Sequence, residues 1–309
     1  MKDILVITGP TAVGKTEYAI QLALRLNGEI VSCDSMQLYQ FMDIGSAKPT
    51  KEERAMVPHY LVDEFDPRED FSVVQYQKHA KAAIDQIHEK GKLPVISGGT
   101  GLYLNSLLYE MDFSAPPRND GYRRELEDLA AREGKEALHQ LLQAKDPQAA
   151  QRIHPHNTKK IIRALEALSQ DGKGVRPFSE AMVPVSQYRP LLLGLTRNRE
   201  ELYQRVNDRV DLLMEQGLLD EVKGMLAMGL TESHISMKGI GYKELIDHLH
   251  GDCDLKTAVA KIQQNTRHYA KRQLTWFRKY DKMVWFNLSE YGSKEQALED
   301  MIIWVKKNR

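Results

Sequence analysis

The segment Gly9–Thr16, with the sequence GPTAVGKT, constrains the fold of this chain more than any other feature. It matches the pattern G-x-x-x-x-G-K-[ST], and it lies between the apolar run Ile4–Thr8 and a stretch with helical periodicity. In that setting, backbone N–H groups surround phosphate oxygens at the positive end of a helix. Lys15 adds a charge, and Thr16 offers a hydroxyl to Mg²⁺. We therefore predict a diphosphate-binding loop formed by Gly9, Pro10, Thr11, Ala12, Val13, Gly14, Lys15 and Thr16.

Short apolar runs alternate with helical patterns at both ends of the chain, which is typical of a parallel sheet flanked by helices. The predicted strands are Ile4–Thr8, Glu29–Cys33, Tyr60–Val62, Leu93–Ser97, Leu191–Leu195 and Met283–Asn287. The middle of the chain has little strand signal, and its pattern predicts the helices Tyr122–Glu133, Lys135–Ala144, Pro147–Ile153 and Asn157–Leu168. We therefore predict an α/β catalytic core, residues 1–112 and 190–309, that carries an all-helical insertion domain, residues 113–189.

Composition excludes several classes of protein. The two cysteines, Cys33 and Cys253, have no metal-site spacing, so neither a disulfide scaffold nor a structural zinc site is expected. No segment reaches the ~18 apolar residues of a membrane span, and we expect a soluble cytoplasmic protein. The formal net charge of the 309 residues is zero, so a nucleic-acid partner would have to meet a local basic patch.

Asp34 follows the second predicted strand, in the segment Ser32–Tyr39. Ligands of open parallel sheets bind beyond the carboxyl ends of the strands, so Asp34 should face the same crevice as the glycine loop. From spacing alone its carboxylate could be a metal ligand, a general base or a helix N-cap with Gln37 in the capping-box position. The segment Leu61–Glu64 is a weak alternative source of the acid that an ATPase requires.

A second glycine-rich turn, Ser97–Tyr103, follows another predicted strand. Glycines let a backbone approach a ligand closely, and Thr100 offers a hydroxyl. Taken alone, this segment fits a simple tight turn better than a ligand site.

Basic residues are concentrated in the stretch Lys256–Tyr280, which has seven lysines and arginines and no Asp or Glu. Apolar residues recur there at helical spacing, and Arg267, Lys271 and Arg278 fall on a separate stripe. Smaller basic clusters occur at Tyr122–Arg124 and Asn157–Arg163. A solvated basic face is possible, but the lack of acids in a neutral protein favours a phosphate-rich partner.

Five segments taken in order make the chain resemble the bacterial tRNA dimethylallyltransferases. They are GPTAVGKT (Gly9–Thr16), CDSMQ (Cys33–Gln37), DIGSAKP (Asp43–Pro49), GGTGLY (Gly98–Tyr103) and TRHYAKRQLTWFR (Thr266–Arg278). The resemblance implies a P-loop NTPase-like α/β core with a helical insertion. It also implies transfer of a dimethylallyl group from dimethylallyl diphosphate to N6 of adenosine 37 in tRNA, with release of diphosphate and with Mg²⁺ as cofactor.

The resemblance also implies roles for individual residues. Asp34 would be the general base, Lys15 and the Mg²⁺ on Thr16 would neutralise the leaving diphosphate, and Arg205 would be a second phosphate contact, with Arg209 as a rival. The residues implied in tRNA binding are Asp34, Ser35, Met36, Gln37, Thr100, Arg123, Lys159, Lys160, Ile161, Ile162 and Arg163, to which the basic stripe adds Arg267, Lys271 and Arg278. Relatives commonly have a Gln where this chain has Lys159, so phosphate attraction is expected there rather than a contact to a base edge.

Two other functions fit parts of the pattern. An adenylate isopentenyltransferase acts on a free nucleotide, but it would have little use for a helical insertion or for a basic helix without acids. A P-loop RNA-binding ATPase would need a better acidic strand end than Leu61–Glu64 provides.

Overall fold

The computed structural model describes residues 1–111, 120–171 and 183–309. They form two compact units, of which unit 1 comprises Met1–Leu108 with Val185–Arg309 and unit 2 comprises Tyr109–Pro184. The predicted boundary between 112 and 113 lies outside the described residues. The predicted boundary between 189 and 190 falls inside the strand Tyr188–Thr196. Unit 1 resumes before that strand, at Val185.

Unit 1 is built on one parallel sheet with the strand order β3-β2-β4-β1-β5-β6. Its strands are β1 (Lys2–Thr8), β2 (Gly28–Ser32), β3 (His59–Tyr60), β4 (Leu93–Gly98), β5 (Tyr188–Thr196) and β6 (Val284–Asn287). The predicted parallel α/β fold is therefore confirmed. The prediction that the third strand extends to Val62 was wrong, because Leu61 and Asp63 have positive φ angles of 60° and 63°, which extended strands do not adopt.

Helices cover the sheet, and in unit 2 the described residues form four helices besides the bridge at its ends. In the described ranges they are α1 (Lys15–Arg25), α2 (Lys51–Met56), α3 (Val73–Glu89), α4 (Gly101–Leu108), α5 (Asp120–Glu133), α6 (Lys135–Lys145), α7 (Pro147–Arg152), α8 (Thr158–Asp171), α9 (Arg199–Glu215), α10 (Leu218–Ala227), α11 (Tyr242–Leu249), α12 (Leu255–Phe277) and α13 (Lys294–Asn308). Within the described part of the chain, none of these helices is both long and apolar enough to cross a bilayer.

The central strands are apolar along their length because helices cover both faces of the sheet. Leu5, Val95 and Leu193, on three adjacent strands, are all fully buried. Since the sheet is parallel, the carboxyl ends of β1, β2, β4 and β5 lie at one edge, and the loops that leave them form the candidate site.

Unit 2 packs α5 to α8 around its own apolar core, which includes Leu126, Leu138, Leu142 and Leu165. At its ends, Tyr109 and Pro184 form an antiparallel bridge, and Glu110 N–H donates to the carbonyl of Val183 at 2.7 Å. On the unit 1 side, Val185 N–H donates to the carbonyl of Leu108 at 3.0 Å. The chain thus leaves and re-enters unit 1 at hydrogen-bonded neighbours.

Candidate active site

The loop between β1 and α1 has the backbone form that an anion site requires. Gly14 has a φ of 109°, which an L side chain rarely adopts, and it precedes α1 without any side-chain cap. The first N–H groups of α1 therefore have no partner within the helix and are available to an anion. At the start of the loop, a Cβ on Gly9 would clash with the carbonyl of Leu195 on β5. The glycines of the motif are thus needed for the loop's shape and its packing on the sheet.

Lys15 lies folded over this loop. Its Nζ donates to the carbonyls of Gly9 at 3.1 Å and Pro10 at 2.8 Å. Burial, together with the charge of Arg209, lowers the pKa of Lys15 to about 8, although Asp34 acts in the opposite direction. The lysine is therefore mostly protonated at neutral pH, although burial disfavours its charged form. A bound anion would stabilise that charged form.

Thr16 carries the hydroxyl that the sequence pattern assigns to a cation. It is half-buried in the first turn of α1, directly after Lys15. No group of three His, Cys, Asp or Glu side chains in the described ranges is arranged to hold a metal ion. The donors present fit a Mg²⁺ that is bound by the Thr16 hydroxyl and by phosphate oxygens, which is the usual arrangement for this ion.

Three arginines surround the loop from the side of β5 and α9. Nε of Arg197 donates to the carbonyl of Val13 at 3.1 Å, and Nε of Arg205 donates to the carbonyl of Ala12 at 3.0 Å. Arg209 is more deeply placed; burial lowers its pKa, while the charge of Asp34 raises it. Arg205 thus helps to shape the loop, whereas Arg209 is the arginine that interacts with both Lys15 and Asp34.

A cavity of about 660 Å³ lies beside the loop. Its walls are formed by the loop itself, by α9 with Arg205 and Arg209, and by the segment between residues 43 and 54. Cations outnumber acids on these walls, where Lys48, Lys51 and Arg54 also lie and the acids are Asp43 and Asp208. The cavity is therefore electrostatically suited to an anionic ligand.

Glu221 of α10 anchors the outer wall of this cavity. Its carboxylate accepts from the N–H groups of Asp43, Ile44 and Gly45 at 2.7 to 2.9 Å. The hydroxyl of Tyr242 also donates to it at 2.7 Å. Four charge-assisted hydrogen bonds thus tie Tyr242 and the Asp43–Gly45 backbone to one carboxylate.

Asp63 lies in the segment Leu61–Glu64, the weak candidate for the acid that an ATPase requires. In the structure it pairs with a buried lysine. Its carboxylate accepts from the buried Nζ of Lys48 at 2.8 Å and from Arg54 at 3.4 Å. Lys48 also donates to Asp43 and to the carbonyl of Tyr39. Asp63 therefore serves to compensate a buried lysine, and it does not end a strand beside the loop.

Asp34 is half-buried just beyond the end of β2. Its Oδ1 accepts from the N–H of Met36 at 2.9 Å in a turn, and no helix begins there. The helix-cap interpretation of Asp34 is therefore wrong. Gln37 instead donates to the carbonyl of Ala47 at 3.2 Å. Asp34 is left with one carboxylate oxygen without a hydrogen bond in the described residues, within the electrostatic range of Lys15 and Arg209.

The glycine-rich turn after β4 holds the Asp34 loop in place. Thr100 N–H donates to the carbonyl of Cys33 at 3.0 Å, and its hydroxyl oxygen accepts from the N–H of Ser35 at 3.0 Å. A Cβ on Gly98 would clash with the backbone of Cys33. The turn is therefore more than a reversal of the chain, because it fixes the backbone on both sides of Asp34.

The basic stretch forms α12 and continues to Lys279 just beyond it. Its predicted apolar stripe is confirmed at Ile262, Ala270 and Phe277, which are buried. Arg267 is half-buried and donates to Asn207 of α9. Six cations are exposed: Lys256, Lys261, Lys271, Arg272, Arg278 and Lys279.

The predicted RNA contacts of unit 2 divide into two groups. Lys159, Lys160 and Arg163 are exposed on α8, whereas Ile161 and Ile162 are 0% and 3% exposed in the core of the unit. The two isoleucine side chains therefore cannot contact RNA while the unit is folded, and we withdraw them from the predicted set. Arg123 is half-buried and forms an ion pair with Glu166 at 3.2 Å.

Several residues that shape the site have no signature in the sequence. Gln273 and Glu221 lie far along the chain from the loops that they hold. Arg209 could be found by its spacing of one helical turn from Arg205. Only the structure shows that Arg209 is the more deeply placed of the two, while Arg205 donates to the carbonyl of Ala12.

Comparisons with known proteins agree on one family. The family model described as IPP transferase matches residues 37–280. The tRNA dimethylallyltransferase of Alkaliphilus oremlandii is 50% identical over 298 residues, which are 96% of this chain and 95% of that protein. That of Clostridioides difficile is 45% identical over 303 residues, covering 98% and 97%.

Solved structures give the same result. The tRNA isopentenylpyrophosphate transferase of Bacillus halodurans matches with a TM-score of 0.76 and 41% identity, covering 100% of this chain and 97% of the other. A eukaryotic dimethylallyltransferase acting on tRNA matches with a TM-score of 0.83 and 27% identity, covering 100% and 79%.

Proposed function

The chain belongs to the IPP transferase family, and from that premise we propose that it moves a dimethylallyl group from dimethylallyl diphosphate to N6 of adenosine 37 in tRNA. The observation that carries the proposal is that the loop with Lys15 and the residue Asp34 follow the carboxyl ends of β1 and β2 in one parallel sheet, with Arg209 on the cavity beside the loop. Two cations suit a leaving diphosphate, and a carboxylate suits an attacking amine. This pairing is what alkyl transfer from a diphosphate ester requires.

In the reaction, the N6 nitrogen forms a bond to C1 of the dimethylallyl group as the C1–O bond to diphosphate breaks. The electron pair of that bond leaves with the diphosphate, where Lys15, Arg209 and the N–H groups of the loop stabilise it. Asp34 accepts the proton that the amine loses, through the carboxylate oxygen that Met36 does not occupy. Mg²⁺ bound by Thr16 and the diphosphate would supply further charge neutralisation to the leaving group.

The tRNA would be bound mainly through its phosphates. In unit 1 we assign this role to Arg267, Lys271 and Arg278 of the basic stretch, with Asp34–Gln37 and Thr100 beside the reacting base. In unit 2 we assign it to Lys159, Lys160, Arg163 and Arg123. N6 of a stacked base is not accessible to Asp34, so adenosine 37 must leave the stack of the anticodon loop. We propose the cytoplasm as the compartment in which the enzyme meets tRNA.

The proposal is tested with Mg²⁺, labelled dimethylallyl diphosphate and two acceptors in parallel, an anticodon stem-loop with an adenosine at position 37 and free AMP. We expect label on the stem-loop, and none when guanosine replaces that adenosine. Label on AMP alone would instead identify an adenylate isopentenyltransferase. RNA-stimulated ATP hydrolysis without any prenyl transfer would identify an RNA-binding ATPase, an activity that the pairing of Asp63 with Lys48 disfavours.

A further inference from the structure

Gln273 is a buried amide in a helix whose other polar side chains are largely exposed. It is 6% exposed, whereas its neighbours Lys271 and Arg272 lie in solvent. Its Oε1 accepts from the N–H of Thr11 in the diphosphate loop at 2.8 Å. Its Nε2 donates to the carbonyl of Gly99, in the turn after β4, at 2.9 Å. One side chain of α12 therefore connects two loops of the active site.

The orientation of this amide is fixed by its two partners. A backbone N–H can only donate and a carbonyl can only accept, so the Gln273 amide cannot rotate by half a turn without losing both hydrogen bonds. A Cβ on Gly99 would clash with Nε2 of Gln273, so a side chain there would displace the amide from its hydrogen bonds. The helix therefore lies directly against the turn.

The turn that accepts from Gln273 is also the one that holds the Asp34 loop. Thr100, next to Gly99, bonds to Cys33 and Ser35 on either side of Asp34. Gln273 also accepts from the N–H of Thr11, which lies early in the diphosphate loop. The N–H groups later in the loop, next to α1, do not take part in this bond and are available to a diphosphate. Gln273 thus connects the helix that carries exposed cations to the loop that binds the leaving group and to the turn behind the base.

Further along α12, a Cβ on Gly101 would clash with the ring of Trp276. This second close contact joins the helix to the first turn of α4, which begins at Gly101. The contacts of Gln273 and Trp276 thus pack α12 closely against both the turn and the start of α4.

We propose that Gln273 is a positioning residue through which RNA bound to α12 favours the diphosphate-binding form of the Gly9–Thr16 loop. The inference rests on the proposed function, because it takes the exposed cations of α12 to be an RNA-binding surface. It makes the two binding sites thermodynamically coupled, so that each ligand raises the affinity for the other by the same factor.

The test measures that coupling by calorimetry. Magnesium pyrophosphate is titrated into the protein with and without a saturating anticodon stem-loop. For the natural sequence we expect the RNA to raise pyrophosphate affinity by about 5- to 150-fold, the usual range of such couplings. In Gln273→Met, a side chain of similar size without strong hydrogen-bonding groups, the factor should fall to below about 2-fold while both ligands still bind separately. The matched control is Gln264→Met, an exposed position on the same helix, which should keep the full factor.

A second measurement needs no variant. Hydrogen exchange of the peptide that spans Gly9–Thr16 should become slower when the stem-loop binds in the absence of any diphosphate. Unchanged exchange, or full coupling retained in Gln273→Met, would overturn the inference while leaving the prenyl transfer intact. Failure of the proposed function would differ, because then neither protein would prenylate the stem-loop.

Discussion

Burial and the guanidinium group of Arg209 together lower the pKa of Lys15 to about 8. A lysine with that pKa is mostly protonated at pH 7 and mostly neutral at pH 9. A bound diphosphate stabilises the protonated form, so its binding takes up a proton when the pH is above the pKa of the free enzyme. The pH dependence of the reaction should therefore report on Lys15.

We expect kcat/KM for dimethylallyl diphosphate to fall as the pH rises above about 8, by up to tenfold per pH unit. KM for RNA should change much less over the same range. The measurement is a pH profile of kcat/KM between pH 6 and 10 at fixed ionic strength. Removing the arginine in Arg209→Met takes away one cause of the low pKa, so the falling limb should move to higher pH. A limb that stayed in place would show that burial, and not Arg209, sets the low pKa.

The two arginines on α9 should contribute unequally. Arg209 interacts with Lys15 and Asp34, whereas Nε of Arg205 is used on the carbonyl of Ala12. A charged hydrogen bond contributes about 1.5–3 kcal/mol, so Arg209→Met should lower kcat/KM for dimethylallyl diphosphate by roughly 10- to 150-fold. Arg205→Met should have a smaller effect. Steady-state kinetics of the two variants provide the comparison, and the reverse order would return Arg205 to the principal role.

Removing the proposed base should slow the chemical step without weakening diphosphate binding. For Asp34→Asn we expect the single-turnover rate to fall by roughly 10²–10⁴, the usual contribution of a general base. Pyrophosphate affinity, measured by calorimetry, should change by less than about tenfold. Asp85→Asn, an exposed carboxylate on α3 that pairs with Lys2 at the amino end of β1, is the control and should react at the normal rate. An unaltered rate in Asp34→Asn would contradict a catalytic role, and Asp34 would then serve only to stabilise the turn through its hydrogen bond with Met36.

RNA binding should depend on salt in proportion to the cations that contact phosphates. Each phosphate contact that is lost lowers the slope of log K against log[salt] by about 1. We therefore expect Lys271→Ala to reduce the slope by about this amount, with the RNA titrated at several KCl concentrations. Lys223→Ala removes an exposed lysine that pairs with Asp220 on α10, and it should leave the slope unchanged. Equal slopes in all three proteins would remove α12 from the RNA-binding surface.

Glu29 lies at the amino end of β2, away from the site, and its carboxylate should make the free energy of unfolding depend on pH in the acid range. Burial raises the pKa of its carboxyl group, but hydrogen bonds from Lys92, Tyr60 and Lys90 outweigh that effect and lower the pKa to about 2. A lowered carboxyl pKa stabilises the folded state above the ordinary value near 4.5, and this stabilisation is lost as the pH falls towards 2.

Glu29→Gln should accordingly reduce the free energy of unfolding at pH 7 by about 1–3 kcal/mol, since it removes the charged acceptor of hydrogen bonds from two partly exposed lysines. The difference from the natural protein should shrink between pH 4.5 and 2.5. Urea unfolding at both ends of that range measures it, with the exposed Glu89→Gln as control. A difference independent of pH would show that the lost packing, and not the charge, is responsible.

The sequence predicts the parts of this structure that depend on local patterns. The strand Leu93–Gly98 is an apolar run buried on both faces, and the glycine loop has a fixed spacing, so both could be located without coordinates. The third strand was predicted too long because Leu61 adopts a left-handed backbone that its residue type does not favour.

The rest of the site depends on contacts between distant parts of the chain. Gln273 bonds to a loop 262 residues earlier, and Glu221 to one 176 to 178 residues earlier. Neither pairing leaves a local pattern. For Ile161 and Ile162 a local pattern was present: their apolar side chains indicate burial, and both are buried. The resemblance to a family instead implied that they contact RNA.

The chain enters and leaves unit 2 at neighbouring points, between Leu108 and Val185 and between Tyr109 and Pro184. An insertion with adjacent ends adds little loop-closure entropy to the protein that receives it. A short turn that joins Leu108 to Val185 would therefore close the same sheet without unit 2. Unit 2 is also one continuous segment with its own core, so during synthesis it can fold on the ribosome before β5 emerges to complete the centre of the sheet.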